Sequence, residues 1–387
     1  MNMVPEARNE HGAGGAPMSA EQQVLRRTVE LAEIPAPTGQ EDARRDLVRS
    51  WWQRDGWADV RADPVGNVWA RVRPGGEPAV VLAAHLDTVF DAEVDHRVRR
   101  DGTLLRGVGV GDNSVGVAAL SAVGTMLTAA EGRAPVWLVA TVGEEGLGNL
   151  RGVTEVVRQT RVPLAALVAV EGNYLGRIAT VGVGSVRWRV TVSGPGGHAW
   201  EQSSAPSSVH AAARMVASLA ALSRRGTGSG RGGRAAVNVG LFSGGEAVNA
   251  RARQAEFLVD LRASQARMLT ELETRARRIL AAPPAGVTVE VEELGLRPAG
   301  ELPASHPLAA AAAAALRGSG LPATFTAAST DANAAHAAGV PAIAIGVTTG
   351  GGEHTPEEWI DTAPLATGLR CAADTIARWE GMAHEPA

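Results

Sequence analysis

Short apolar runs alternate along this chain with segments of helical periodicity, and this alternation constrains the fold more than any other feature. The run "AVVLAAHLD" over residues 79–87 is apolar until it reaches His85 and Asp87. Two further runs, "PVWLVATVGEE" and "AALVAVEGN", come after the helical segment "NSVGVAALSAVGTMLTAA". Uninterrupted apolar runs of this length are typical of strands buried on both faces of a sheet. The pattern therefore predicts an α/β fold with a mostly parallel sheet between helices.

The pattern changes over residues 184–294, where strands of alternating polarity replace the apolar runs. The predicted order there is strand, helix, strand, strand, helix, strand, which is that of a ferredoxin-like α/β sandwich. A glycine-rich loop is predicted inside this segment, at residues 226–233. After this segment the alternation of apolar runs and helical segments resumes, and it ends in a predicted C-terminal helix. We therefore predict one domain built from residues 19–183 and 295–387, interrupted by an inserted second domain over 184–294.

The start of the chain and its charge exclude several classes of protein. Residues 1–18 are polar and glycine-rich and lack the apolar stretch of a signal peptide, so we predict a disordered tail in which Met18 is a second candidate start. No run of 18 apolar residues is present, and the net charge of −4 offers no basic stripe. We expect a cytoplasmic protein that binds neither membranes nor nucleic acid.

Two residue types are scarce, and this limits the available chemistry. The only cysteine, Cys371, lies in the predicted C-terminal helix, so disulfides and thiolate zinc sites are excluded. All 37 basic residues are arginine, which removes Schiff-base lysines and the phosphate loops that need a lysine. Any bound metal must therefore be held by histidine, aspartate and glutamate.

Histidine and carboxylate residues stand where predicted strands or glycine-rich turns end. They are His85 with Asp87, Asp112 in "GVGVGDNSVGV", Glu144 with Glu145 in "TVGEE", Glu171 in "AVEGN" and His354 in "GGGEHTPEEW". Because the carboxyl ends of parallel strands meet at one edge of a sheet, ligand sites form there. Two imidazoles and several carboxylates, without sulfur, suit a pair of Zn²⁺, Co²⁺ or Mn²⁺ ions.

The spacing within these pairs indicates how their roles divide. Side chains two apart on a strand point the same way, so His85 can bind a metal while Asp87 accepts the proton of its other ring nitrogen. Adjacent side chains point apart, so one of Glu144 and Glu145 can bind a metal while the other faces the reacting water as general base. A ligand must stay ionised whereas a general base must exchange a proton, and two adjacent glutamates in different environments can divide these roles.

Other classes of function fit the sequence less well. A protein that only binds a metal or an amino acid has no need of a spare glutamate beside the ligands. A dehydrogenase would need a dinucleotide loop, but the glycines of "GVGVGDNSVG" do not match GxGxxG. Each signal alone is common, since a single histidine at a strand end is more often structural. Their occurrence together favours a metal-dependent hydrolase.

These motifs resemble those of the co-catalytic di-zinc metallopeptidase family that includes aminoacylases, carboxypeptidase G, succinyl-diaminopimelate desuccinylase and tripeptidase-like enzymes. The resemblance covers most of the chain and rests on "HLDTV", "DNSVGVAAL", "GEEGLGNLRG", "VEGN", "VSGPGGHAWE" and "GGEHTPEEW". It implies a catalytic α/β domain of zinc-exopeptidase type and a ferredoxin-like lid that also joins the subunits of a homodimer.

The resemblance implies a role for each residue of the site. It implies five metal ligands, with His85 and Glu171 on one zinc ion, Glu145 and His354 on the other, and Asp112 bridging both. It further implies that Glu144 is the general base and that Asp87 is the carboxylate orienting His85.

Three residues of the predicted lid also match the family's pattern. His198 in "GPGGHAW" resembles the lid histidine that reaches the partner subunit's active site and polarises the scissile carbonyl. Asn249 and Arg262 match positions that contact the substrate carbonyl and carboxylate, and an arginine fork suits a carboxylate. From the residues alone, Asn249 is equally well a turn residue and Arg262 an exposed strand arginine.

The resemblance leaves the substrate open between two branches of the family. "STDANAAHAAGVPAIAIG" is closer to the tripeptidase-like branch, whereas Glu171 fits the deacylase and carboxypeptidase branch, because tripeptidases have aspartate at that position. Since Glu171 bears on the metal site, we favour an N-acyl amino acid or carboxypeptidase-type substrate. An exopeptidase that acts on di- or tripeptides with a free amino terminus is the alternative.

Overall fold

The structure is a computed structural model that describes residues 18–129, 132, 134–159, 161–223 and 233–382. The predicted disordered tail lies outside the described residues except for Met18, and so does the predicted glycine-rich loop except for Gly233. Among the described residues, every helix is too short or too polar to cross a membrane.

The secondary structure within this described part alternates helices and strands along most of the chain. The helices are α1 (Ala20–Ala32), α2 (Asp42–Arg54), α3 (Val115–Ala129), α4 (Arg151–Arg158), α5 (Ser208–Ala220), α6 (Ala266–Leu280), α7 (Pro307–Gly318), α8 (Ala332–Ala337) and α9 (Leu365–Met382). The strands are β1 (Ala58–Ala62), β2 (Val68–Arg73), β3 (Ala79–His85), β4 (Arg99–Asp101), β5 (Leu104–Arg106), β6 (Val136–Thr141), β7 (Leu164–Glu171), β8 (Arg177–Gly182), β9 (Gly184–Ser193), β10 (Gly197–His198), β11 (Ala235–Gly244), β12 (Ala250–Arg251), β13 (Gln254–Ala263), β14 (Thr288–Arg297), β15 (Gly300–Glu301), β16 (Thr324–Ala328), β17 (Ala342–Gly346), β18 (Thr349–Gly351) and β19 (Trp359–Asp361).

In the described part of the chain, a mainly parallel sheet of nine strands forms the centre of the larger part of the molecule. Its strand order is β1-β2-β6-β3-β7-β17-β8-β15, with β16 added parallel to β8. The four strands β6, β3, β7 and β17 run parallel to one another, whereas β1, β2 and β15 run antiparallel to their neighbours and β8 runs antiparallel to β17. The predicted α/β class is confirmed, and the antiparallel strands toward both edges were not predicted.

The apolar composition of the central strands explains why they lie inside. Every residue of β3 and of β6 is buried, as are all five residues of β17. Helix α3 is apolar on nearly all sides, which is typical of a helix covered all round, and it packs against the sheet and against α1 and α9. This tight packing holds the turn Val110–Ser114, which enters α3, against the carboxyl ends of the strands.

The register of the parallel strands brings their carboxyl ends to one edge. His85 at the end of β3 lies opposite Thr141 at the end of β6, and Glu171 at the end of β7 lies opposite Gly346 at the end of β17. The residues that immediately follow these strands therefore share one rim of the sheet.

A second, antiparallel sheet is formed by the segment from β9 to β14. Its order is β11-β13-β9-β14, and α5 and α6 cover one of its faces. The side chains on that face, among them Val186, Trp188 and Phe257, form a hydrophobic core of their own. The element order is that of the predicted ferredoxin-like sandwich, and this unit is called the lid below. The domain boundaries at residues 183/184 and 294/295 stay predictions, and β14 itself continues to Arg297.

Candidate metal centre

The five predicted ligands come together at the carboxyl rim of the parallel strands. His85 is the last residue of β3 and Glu171 the last residue of β7. Glu145 follows β6, and Asp112 lies in the turn before α3. His354 follows β18 with a φ of 63°, a left-handed conformation that is uncommon for residues other than glycine.

The contacts among these residues divide them into two sets that share Asp112. Nε2 of His85 lies 2.9 Å from Oδ1 of Asp112 and 3.7 Å from Oε2 of Glu171. Nε2 of His354 lies 3.1 Å from Oδ2 of Asp112 and 3.2 Å from Oε1 of Glu145. The Asp112 carboxylate therefore offers one oxygen to each set. These are the two sets that the resemblance implies for two metal ions; ligation itself stays a prediction.

The electrostatics of this cluster fit a bound cation. Burial raises the pKa of Glu171 to about 8, and the neighbouring Asp112 carboxylate acts in the same direction. Hydrogen bonds to Asp112 and Glu145 raise the pKa of His354 to about 10. Converging buried carboxylates repel one another unless a positive charge lies between them. Ligand atoms of His85, Asp112 and Glu145 all lie within 4.8 Å of one another, and this oxygen and nitrogen set suits divalent zinc, cobalt or manganese.

Asp87 lies beneath the cluster, but its hydrogen bonds differ from the predicted ones. Nδ1 of His85 lies 3.0 Å from the main-chain oxygen of Asp87 and 3.6 Å from its carboxylate. The carboxylate instead accepts hydrogen bonds from the amides of Glu144 and Glu145, at 3.0 and 2.9 Å, and from the Thr38 hydroxyl at 2.9 Å. Asp87 therefore orients His85 through its backbone and the two glutamates through its side chain.

Glu144 lies between the cluster and the lid. Nη1 of Arg297, on β14, donates to Oε1 of Glu144 at 3.2 Å, and the other Nη donates to the Glu144 carbonyl oxygen. Burial raises the pKa of Glu144, while the Arg297 charge opposes this shift. Glu144 is thus a buried carboxylate beside, but outside, the two sets of contacts.

The turn that presents Asp112 is held by a residue that the sequence did not single out. Glu358 is fully buried, and its carboxylate accepts hydrogen bonds from the amides of Gly109, Gly111 and Asp112 at 2.8, 2.7 and 2.8 Å. Burial raises the pKa of Glu358 to about 7. The carboxylate thereby ties the segment carrying His354 to the turn carrying Asp112.

Two other contact residues were also missed. Nδ2 of Asn113 donates to Oε2 of Glu171 at 3.0 Å, and the peptide bond between Asp112 and Asn113 is cis. Arg297 looks in the sequence like any arginine of a half-exposed strand, and Glu358 cannot be told from its neighbour Glu357 by local pattern. Within "GGEHTPEEW", only His354 was predicted to belong to the site.

The three predicted lid residues lie in different places. Arg262 lines a cavity of about 320 Å³ that also contains the metal-ligand candidates. His198 and Asn249 are both exposed, near the small ribbon that pairs β10 with β12, and neither lines that cavity. Within one chain, therefore, the structure brings Arg262 to the site and leaves His198 and Asn249 away from it.

Comparison with known proteins places these observations in a family. The model of peptidase family M20/M25/M40 matches residues 81–378. Succinyl-diaminopimelate desuccinylase of Corynebacterium glutamicum is 29% identical over 198 residues, which are 50% of this chain. That match spans only about half of the relative, 53% of its length.

Solved structures share the whole architecture. The aminopeptidase PepT of Bacillus cereus has a TM-score of 0.75 at 17% identity and covers 93% of this chain and 98% of its own. The M20 metallo-carboxypeptidase Sso-CP2 of Sulfolobus solfataricus has a TM-score of 0.73 at 11% identity, covering 92% and 99%. The YXEP protein of Bacillus subtilis, described as a dinuclear metal-binding peptidase, has a TM-score of 0.66 at 17% identity, covering 93% and 98%. At these identities the likeness concerns the fold.

Replacing Glu358 by alanine should weaken metal binding by about 10- to 100-fold, the usual effect of removing a group that positions a ligand. The amides of Gly109, Gly111 and Asp112 would lose their shared acceptor, so the turn would no longer hold Asp112 in place. Calorimetric titration of the metal-free protein with Zn²⁺ measures the affinity. Glu357→Ala is the matched control, because Glu357 is adjacent and exposed. Equal affinities in the two variants would contradict the positioning role.

Proposed function

Because this chain belongs to the peptidase family M20/M25/M40, we propose that it is a metal-dependent hydrolase that cleaves the amide bond of an N-acyl amino acid or a small peptide. One observation carries the proposal. Asp112 turns one carboxylate oxygen to His85 and the other to His354, while the buried carboxylate of Glu144 stands beside this cluster. A protein that only stored a metal would not need that additional glutamate.

We propose that the cluster holds two divalent metal ions, zinc first among them. His85 and Glu171 would hold one ion, Glu145 and His354 the other, and Asp112 both. When bound, such ions lower the pKa of a shared water and polarise a substrate carbonyl. The chain itself supplies the orientation of these ligands, through Asp87 and Glu358.

Glu144 is proposed as the general base. Its carboxylate takes a proton from the attacking water as the new carbon–oxygen bond forms, and then returns that proton to the amine nitrogen as the carbon–nitrogen bond breaks. Burial raises the pKa of Glu144, which makes it a better proton acceptor than an exposed glutamate. Asp87 accepts a hydrogen bond from the Glu144 amide, which fixes the main chain that carries this carboxylate.

A homodimer is proposed to complete the site. His198 is exposed and lies away from the cavity of its own chain, which agrees with its proposed role in the partner subunit's site. The lid also exposes large apolar side chains near the edge strand β11. They are Trp200, Leu241, Phe242 and Val248. Exposed apolar groups beside a strand that, in the described part of the chain, ends its sheet favour association.

Arg262 and Asn249 are proposed to bind the substrate. Arg262 lines the cavity, and its guanidinium suits the α-carboxylate of the departing amino acid. Asn249 lies on the same exposed lid segment as Val248, so we propose that it reaches the substrate carbonyl together with His198.

Assays with matched dipeptides test the preferred substrate class. We expect N-acylated amino acids and N-acylated dipeptides to be hydrolysed faster than the same dipeptides with a free amino terminus, because Glu171 places the chain nearer the deacylase branch. The measurement is kcat/KM for each member of a pair in the presence of Zn²⁺, Co²⁺ or Mn²⁺. Faster turnover of free di- and tripeptides would instead establish the exopeptidase alternative.

Replacing Glu144 by alanine should lower kcat by about 100- to 10,000-fold, the contribution typical of a positioned general base. Metal content should stay unchanged, because Glu144 lies outside both sets of ligand contacts. Glu145→Ala is the informative comparison, since it should lose metal as well as activity. Elemental analysis and kcat on one N-acetyl amino acid give both readouts. Near-normal turnover by Glu144→Ala would disprove its assigned role.

Mixing two inactive variants tests the shared site. His198→Ala and Glu144→Ala should each be inactive, yet co-refolded mixtures should recover up to about one quarter of wild-type activity. Hybrid dimers would contain one site with both residues intact, and they form half of a random mixture of twofold-symmetric dimers. Each variant refolded alone is the control. A mixture as inactive as its components would show that His198 does not act across a dimer.

A further inference from the structure

Three arginine side chains project from the face of the lid sheet that carries no helices. Arg262 on β13 and Arg297 on β14 both lie opposite Ser185 of β9, and Arg187 of β9 lies opposite Asp260 of β13. Residues directly opposite one another in a sheet, or two apart on one strand, share a face. All three guanidinium groups therefore emerge from one end of the same face, and all three line the cavity that holds the metal-ligand candidates.

The other side chains that line this cavity are mostly charged or polar. Apart from glycine, the lining side chains are charged or polar with the exceptions of Val89 and Tyr174. At about 320 Å³ the cavity accommodates a small substrate. A large aliphatic or aromatic substituent would find few partners here, whereas charged groups would find several.

Positive charge on the lid side exceeds the carboxylates available to it. Arg262 donates from Nε to Oδ2 of Asp260 at 2.8 Å, and Nε of Arg187 lies 3.9 Å from that same oxygen. One carboxylate therefore serves two guanidinium groups. Burial lowers the pKa of Arg187, and the nearby charges of Arg297 and Arg262 lower it further. An anion placed between Arg187 and Arg262 would relieve this crowding.

Arg187 also has donors to spare. One Nη of Arg187 donates to the Gly146 carbonyl oxygen, which joins the lid to the loop after Glu145. Among the described residues, no hydrogen bond is formed by its other Nη or by either Nη of Arg262. A guanidinium in which one Nη is bonded to a carbonyl oxygen, while the other is free to donate, can bind a carboxylate.

We infer that the substrate carries a second anionic group besides the α-carboxylate, and that Arg187 is the specificity-determining residue that binds it. The inference rests on the proposed function, in which Arg262 takes the α-carboxylate. Because Arg187 and Arg262 approach one oxygen of Asp260, their guanidinium groups lie close enough for two carboxylates of one small molecule. The second anion belongs either to the side chain of an acidic amino acid or to a dicarboxylic acyl group.

Two substrate pairs test the preference and distinguish its two sources. N-acetylglutamate against N-acetylglutamine places the second charge on the amino acid, and N-succinylglutamine against N-acetylglutamine places it on the acyl group. We expect one of these two anionic substrates to have a kcat/KM about 10- to 100-fold above that of N-acetylglutamine, the range for a hydrogen bond to a charged group. Absence of a preference in both comparisons overturns the inference, even if all three substrates are hydrolysed.

Arg187→Gln should reduce that preference about tenfold or more, chiefly through KM. Arg189→Gln is the matched control on the same strand and face. Arg189 is half-exposed, does not line the cavity, and forms an ion pair with Glu292 in which Nη1 lies 2.6 Å from Oε2. The control should keep the wild-type preference. A preference that persists in Arg187→Gln removes Arg187 from the assignment.

Calorimetry separates this inference from the proposed hydrolysis. Free glutamate and free succinate are titrated into the metal-loaded wild-type protein and the Arg187→Gln variant, with glutamine and butyrate as the uncharged or singly charged counterparts. Tighter binding of a dicarboxylate than of its monocarboxylate counterpart, lost in the variant, supports the anion site even if no amide is cleaved, in which case only the proposed reaction fails. Equal binding of dicarboxylate and counterpart overturns the anion site while leaving the hydrolase proposal to its own tests.

Discussion

Repulsion among buried carboxylates at the rim of the parallel sheet is the constraint on which the rest of the site depends. Asp112, Glu145 and Glu171 converge on the buried His85 and the exposed His354, and burial raises the pKa of Glu171 to about 8. Such a cluster is costly unless cations balance it. The fold places these groups together because β3, β6 and β7 end at one edge, so the free energy that binds a metal would also stabilise the rim.

Carboxylates also hold the loops that carry these groups. The Asp87 carboxylate accepts hydrogen bonds from the amides of Glu144 and Glu145, and the Glu358 carboxylate accepts hydrogen bonds from three amides at and before Asp112. Glu41 accepts the amide of Gly143 in the same way. Buried anions need hydrogen-bond donors, and loop amides need acceptors. Each pairing satisfies both requirements, so rigid positions arise in segments without regular secondary structure of their own.

The fold class and the candidate ligand residues were accessible from the sequence because they depend on short-range patterns. Apolar runs such as residues 79–84 predict buried strands, and a residue at a strand end must lie at the rim wherever the strand runs parallel to its neighbours. The supporting residues were not accessible. Glu358 and Glu357 share one local context, and only packing buries the first while exposing the second. Nδ1 of His85 likewise lies closer to the main-chain oxygen of Asp87, at 3.0 Å, than to its carboxylate, at 3.6 Å, and the local pattern did not indicate this.

The sequence by itself determined which atoms are available: oxygen and nitrogen atoms of candidate ligands without thiolates or lysines, a second glutamate beside one candidate, and a second sheet inserted between two parts of the first. Only the tertiary structure decided which of these atoms meet. It directs the two oxygens of Asp112 to different histidines, brings Arg187, Arg262 and Arg297 from three strands to one cavity, and leaves His198 outside it. The physical reason is that periodicity specifies the face on which a side chain lies. The distance between two side chains that are far apart in sequence depends instead on strand register and on the packing of the lid.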